Sequence, residues 1–272
     1  MNLKSKKIQL QYQGYLKTPL LWVKHEVLGL KQLDLNKQNN FVFNEVIPDN
    51  LRLGKRVERF VSNELEKDDR VIFLLQNTQI QNQKLTIGEL DCILKLDEMS
   101  IHLEIIYKFY LYDPKVGSTE IEHWIGPNRN DNLLKKLTKL KDKQLPLLYN
   151  IHTKPHLNIL NLNAENILQR VCFKAQLFTP YLSNTVDFKL LNKDCLKGFY
   201  IPFSEIEQFA SCKFYIPNKV DWLIEVQTQI AWLPYTLFLE KIKTLINEKT
   251  APLCWIKFPK GTVQKFFVVW WS

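Results

Sequence analysis

Hydrophobic positions along the 272 residues change their period several times, and each change predicts an element. Between 51 and 67, Leu53, Val57, Phe60, Val61 and Leu65 recur at helical spacing. Three strand-like runs follow, at about 71–80, 86–96 and 101–112. A second helix is expected over about 130–145, entered through the turn Gly126-Pro127-Asn128, with Asn128 or Asn130 available as N-cap. After a short helix near 163–169, Val171, Phe173, Ala175 and Leu177 alternate as a fourth strand. An amphipathic helix is predicted at about 235–248, then two runs, 253–258 and 265–271, joined as a hairpin around Pro259-Lys260-Gly261. Before all of these lie an apolar stretch from Leu20 to Leu30, opened by Pro19, and a polar loop ending at Asn50. The expectation is an α/β protein with an N-terminal helical segment (1–50), a core (51–180) and an α+β extension packed on it (181–272).

Splitting the second and third strands by parity gives two unlike faces. One is apolar, with Leu90, Cys92, Leu94 and Leu96 beside Ile101, Leu103, Ile105, Tyr107, Phe109 and Leu111. The other carries Glu89, Asp91, Ile93 and Lys95 beside His102, Glu104, Ile106, Lys108 and Tyr110. A two-residue turn at Asp97-Glu98 sets Asp91 opposite Glu104, and a loop of 97–100 sets it opposite Ile106. In both registers Asp91, Glu104 and Lys108 share a face. Neighbouring carboxylates repel unless a cation lies between them, and a hard divalent ion held by oxygen is one such cation. Lys108 is another. An ion so placed could activate water and neutralise charge on a phosphodiester, with Lys108 holding the water or the phosphate. The plainer reading is the mixed-charge solvent face of an amphipathic hairpin.

Glu58 lies along or beside the apolar stripe of the first helix, either as a third acid directed at Asp91 and Glu104 or as an edge residue paired with Arg59 or Arg52. In the second helix Lys135, Lys136, Lys139, Lys141 and Lys143 are opposed only by Asp142, a run suited to a phosphate backbone or to a solvated face. The turn before it is a candidate anion site, or a capped turn with Trp124 in the core.

Composition narrows the classes. Lys plus Arg outnumber Asp plus Glu by 37 to 28, which favours a polyanionic partner. Five scattered cysteines without a C-x-x-C pair argue against a disulfide framework and a zinc ribbon, and Cys92 falls on the apolar face as an ordinary buried thiol. With no apolar leader and no span-length apolar window, the expectation is a soluble, cytoplasmic protein without a membrane partner. Walker, dinucleotide and G-x-S-x-G motifs are missing, and His152 and His156 flank Pro155 without a third ligand.

These residues resemble the PD-(D/E)XK nuclease superfamily. Gly88-Glu89-Leu90-Asp91 is similar to the Gly-x-hydrophobic-Asp of its exonuclease-like branch, and Tyr107-Lys108 to its aromatic-Lys ending. More closely, the chain resembles an uncharacterised bacterial family, domain of unknown function 1853. That likeness is carried by Arg52-Leu53-Gly54 with Glu58, Gly88 to Asp91, Leu103-Glu104, Lys108 to Leu111, Trp124 to Asn128, Gln144-Leu145, and more weakly by Phe214 to Pro217 and Trp222-Leu223. The resemblance implies a restriction-endonuclease-like core of helix, three-stranded meander, helix and strand. It further implies a Mg²⁺- or Mn²⁺-dependent nuclease of DNA or RNA, with Asp91 and Glu104 on the metal, Glu58 supporting it, Lys108 on water or phosphate, and Gln144 orienting the lysine or the substrate. Lys135, Lys136, Lys139 and Lys143 would meet the nucleic acid. The chain departs from the superfamily in placing Glu104 and Lys108 four apart instead of two, roughly 13 Å of strand instead of about 7 Å. The alternative is a module that kept the fold and the basic helix without catalysis and serves nucleic-acid binding or protein assembly.

Overall fold

A computed structural model describes residues 3–33, 42–182 and 186–271. Its helices are α1 (Leu3–Leu16), α2 (Leu53–Leu65), α3 (Leu133–Lys139), α4 (Lys154–Ile159) and α5 (Tyr235–Asn247). Its strands are β1 (Val71–Asn82), β2 (Leu85–Leu96), β3 (Met99–Tyr112), β4 (Trp124–Ile125), β5 (Leu168–Pro180), β6 (Leu196–Pro202), β7 (Lys213–Tyr215), β8 (Leu233–Pro234), β9 (Leu253–Lys257) and β10 (Val263–Val269).

All ten strands join one mixed sheet in the order β1-β2-β3-β5-β6-β10-β9-β7-β8, with β4 beside β3. The middle is parallel, β3 to β5 to β6 to β10, and both flanks are antiparallel. Residues on either side of 181 therefore contribute to the same sheet. A strand buried on both faces needs side chains of both parities in the core, and β10 shows this. Phe266 and Val268 pack toward Phe238 and Ile242 of α5, whereas Phe267 and Val269 join the cluster formed with α1 and α2. On that second side Val57, Phe60, Val61 and Leu65 of α2 cover Leu103, Tyr107, Phe109 and Leu111 of β3. The opposite face of β3 is covered as well: Ile106 and Tyr110 pack with Leu133 and Leu137 of α3, Trp22 and Trp124. His102, Glu104, Ile106 and Tyr110 on the even-numbered face of β3 are thus interior, and Lys108 alone among its charged residues reaches solvent, so this part of the hairpin is not a plain solvent face.

Several expectations need correction. The stretch from 20 to 30 is not a helix; it lies along β5 through isolated bridges, Leu20 to Lys174 and Gln32 to Val171, and the N-terminal helix precedes it. The cap of α3 is Asn132, whose side chain accepts from the Lys135 amide at 2.8 Å, while Asn128 accepts from the Ala251 amide. The predicted helix of 130–145 is shorter and broken. After Lys139 the chain widens into a π turn (Leu140–Gln144) and then a 3-10 turn (Leu145–Tyr149). Pro146 accounts for the break, since it has no amide to donate back into the preceding turn and its ring pushes the carbonyl there outward. His156 lies in the short helix α4, with Pro155 in its first turn. The parity of β2 also fails in one place: Cys92 and Leu94 face α2, but Leu90 packs with Ile80, Ile93, Leu147 and Leu148 on another cluster. The strand turns over between Leu90 and Cys92, at Asp91.

Candidate functional site

The turn-over at Asp91 coincides with the parting of two strands. β2 and β3 are joined by the two-residue turn Asp97-Glu98, and their ladder runs from Leu96–Met99 to Cys92–Leu103. It stops one residue short of Asp91, and beyond it β2 continues with β1 alone. The Asp91 carboxylate takes over as acceptor for the Ile105 amide, at 2.9 Å. Across from it on β1, Asn77 adopts φ +48°, so this rung is irregular on both strands.

Three carboxylates meet at that opening. Oxygens of Glu58, Glu89 and Asp91 lie within 4.8 Å of one another. Among them sits the Lys55 ammonium, which donates to Glu58 at 2.7 Å, to Asn77 at 3.2 Å and to Glu89. Glu58 therefore pairs with Lys55, one turn away on α2, and not with Arg52 or Arg59. Crowding of charge shows in the titration behaviour. Burial, followed by repulsion from Glu104 and Glu58, pushes Asp91 up to about 8, against the opposing pull of Ile105 and Lys55. Burial raises Glu58 too, with Lys55 opposing and Glu89 and Glu104 adding to the rise.

Glu104 stands apart from this trio. It is fully buried, and both its oxygens are engaged, one by His102 Nε2 at 3.2 Å and the other by Gln144 Nε2 at 2.6 Å. The chain extends in both directions. Gln169 Nε2 donates to the Leu145 carbonyl at 2.6 Å and lies 3.3 Å from His102 Nδ1. At the other end the Lys136 ammonium donates to Gln144 Oε1 at 2.7 Å. Burial, then repulsion from Lys108, lowers Lys136 to about 8. The break after α3 turns Gln144 toward the sheet, where its amide bridges Glu104 and Lys136; Lys108, the lysine it was expected to orient, is not its partner.

Lys108 lies on the same face as Glu104 but is committed elsewhere, donating to Asp131 at 2.6 Å. It lines a cavity of about 790 Å³ with the start of α2, Asn128, Asp131 and Trp222. A second cavity, about 570 Å³, belongs to the acids: Glu89 and Asp91 on one wall, Lys139, Lys143 and Gln144 on the other. Lys135 is exposed on α3 and lines neither. The structure thus brings together Glu58 and Asp91, and sets Lys139, Lys143 and Gln144 across a cavity from Asp91. Glu104 and Lys136 are joined through Gln144, whereas Lys108 is drawn toward Asp131. Sequence reasoning missed Lys55, Asn77, Glu89 and His102 as participants. Parity did place Glu89 and His102 on the right face, but nothing in the spacing singled them out.

All donors of the three-acid cluster are carboxylate oxygens, a set suited to a hard divalent cation and unsuited to zinc held by thiolate or imidazole. Described residues include five free, buried cysteines and no helix long and apolar enough to cross a membrane.

Fold and site together define a mixed α/β protein whose acids gather where two strands of a large sheet separate. The chain belongs to the family Domain of unknown function (DUF1853), whose model matches residues 9–269. No curated protein and no solved structure matches it.

Proposed function

We propose that the protein is a divalent-metal-dependent nuclease with a restriction-endonuclease-like core. The observation that carries this reading is the convergence of Glu58, Glu89 and Asp91, the last two lining a cavity shared with Lys139, Lys143 and Gln144. The element order from α2 through the β1-β2-β3 meander and α3 to β5, parallel to β3, supports the core.

In this reading Asp91, Glu89 and Glu58 hold the ion, and Glu104 adds its charge to the same site. When bound, the ion lowers the pKa of a coordinated water and offsets charge on the phosphodiester. The protein's own groups do the remaining work. Lys139 and Lys143, which make no ion pair among the described residues, offer their ammonium groups to phosphates of the strand. Lys108 is released for the reacting phosphate or the water by opening its pair with Asp131, and both side chains are more than a third exposed, at 38% and 36%. Exposed pairs of this kind contribute only about 0–1 kcal/mol, so an incoming phosphate can displace Asp131. Gln144, clamped by Glu104, fixes the Lys136 ammonium beside the acids.

One observation favours the second reading, a non-catalytic nucleic-acid-binding or assembly module: the Lys55 ammonium already fills the acid cluster. Calorimetric titration of Mg²⁺ or Mn²⁺ into the wild type and Asp91→Ala, with cleavage of mixed DNA and RNA by the same samples, decides between them. The nuclease predicts binding and cleavage in the wild type and loss of both in the variant. A wild type that takes up no metal and cuts nothing leaves the module.

A further inference from the structure

Resting on the metal-site reading of the three acids, we infer that Lys55 is their built-in counter-ion and that a divalent cation binds by exchange against it. The three protons of the Lys55 ammonium are all engaged: Glu58 Oε2 accepts at 2.7 Å, Asn77 Oδ1 at 3.2 Å, and Glu89 Oε1 takes the third. Two of those acceptors belong to carboxylates that converge with Asp91 within 4.8 Å. Oxygens bound to one ion at about 2.0–2.6 Å lie no more than roughly 5 Å apart, so the trio is already near ligand spacing. An ammonium bonded to two of these acids and a dication held by all three would be like charges at close range. The cluster therefore holds one or the other.

Exposure decides which partner moves. The Lys55 side chain is 41% exposed, against 14% for Glu58 and 28% for Glu89. A lysine stem in the first turn of α2 can carry its charge into water while the more buried acids stay in place. Other ammonium groups nearby are held elsewhere, Lys108 by Asp131 and Lys136 by Gln144, so among the described residues Lys55 is the one that donates to the trio. It keeps mutually repelling acids assembled, and its release opposes uptake of the ion.

Calorimetric titration of Mn²⁺ into the full chain tests the exchange without recourse to catalysis, in the wild type, Lys55→Met, Lys55→Arg and Lys139→Met. Lys55→Met keeps the apolar stem and removes the charge, so it should bind Mn²⁺ roughly tenfold or more tightly than the wild type. Lys55→Arg retains a cation and should bind no more tightly than the wild type. Lys139→Met removes a cation that lines the cavity of Asp91 without pairing to an acid among the described residues, and should change the affinity less than about threefold. Uptake by Lys55→Met alone is the expected result at its limit. Should that variant fail to fold, the wild type carries the test through heteronuclear NMR of its lysine ammonium groups. The Lys55 signal, identified by its loss in Lys55→Arg, should be protected at first and disappear into solvent exchange as Mg²⁺ is added. An affinity in Lys55→Met equal to or below that of the wild type, a matching gain in Lys139→Met, or a Lys55 signal unchanged at saturating Mg²⁺ overturns the exchange and leaves the metal site intact. No uptake by the wild type or by any folded variant overturns both.

Discussion

Lys265 is a cation in the middle of the sheet, 3% exposed, donating to Gln176 Oε1 at 3.0 Å and to the Trp222 carbonyl at 2.8 Å. Gln176 in turn donates to the Tyr107 hydroxyl, which meets Thr18. Burial lowers Lys265 to about 7, against the opposing pull of Glu225. Its folded pKa lies below the ordinary 10.5, so between these values the unfolded chain binds more protons than the folded one. Stability attributable to this residue should therefore rise as pH increases from about 7 to about 10.5, and change little below 7. Urea unfolding across that window should show the rise in the wild type and a flatter profile in Lys265→Met. At the same scale, the sequence pointed to Asp91, Glu58 and Gln144 because acids and amides at such spacing are visible as letters. Lys55 and Asn77 were invisible for a physical reason: their roles depend on the left-handed backbone of Asn77 and on the turn-over of β2, and neither has a periodicity.

Elements with strong periodicity were legible, and those made by tertiary contact were not. Helix α2, strands β1 to β3, helix α5 and the β9-β10 hairpin all stand within a few residues of their predicted bounds. The α1 sequence interleaves Lys and Gln with its apolar residues, and its buried side includes Gln11, which donates to Asp221 at 2.8 Å, so no clean stripe announces it. Strand β6 was missed because its place is set by parallel neighbours far along the chain. Close approach there depends on Gly198, where a β-carbon would collide with the Lys265 carbonyl of β10. A backbone atom inside a sheet cannot step aside, so Gly198→Ala should cost about 3 kcal/mol or more, read as a fall in the urea midpoint. Gly54→Ala, in the first turn of α2 with nothing within 4 Å of the new carbon, should be neutral or stabilising in the same assay.

At the scale of the molecule, the strand order places β10 between β6 and β9, so a segment late in the sequence is interior to the sheet. The residues just beyond it reach back to the loop that holds Asp131. Trp271 donates to the Pro127 carbonyl at 2.8 Å, and the Arg129 guanidinium lies 4.7 Å from its ring. Removing residues 249–272 should therefore do more than trim an edge. It bares one edge of β6 from Gly198 to Pro202 and strips Phe266, Phe267, Val268 and Val269 from the two clusters they join. The truncated chain is expected to lose cooperative thermal unfolding and to aggregate, as followed by circular dichroism and light scattering. The mixed topology itself was only partly foreseeable. Alternating runs in the sequence predict strands, but the choice of β10 over β9 as the partner of β6 is made by side chains on both faces and by the one glycine that allows contact.

That insertion also orders the protein's biosynthesis. A ribosome delivers β1 to β5 and then β6, but the neighbour β6 requires is the last of the ten strands to emerge. Until it does, the growing chain carries an open strand edge and half-covered clusters, a state prone to pairing with other chains. The acids of the site are synthesised early, whereas the sheet that fixes them is closed late, so the nascent chain is open to mispairing before the site is in place.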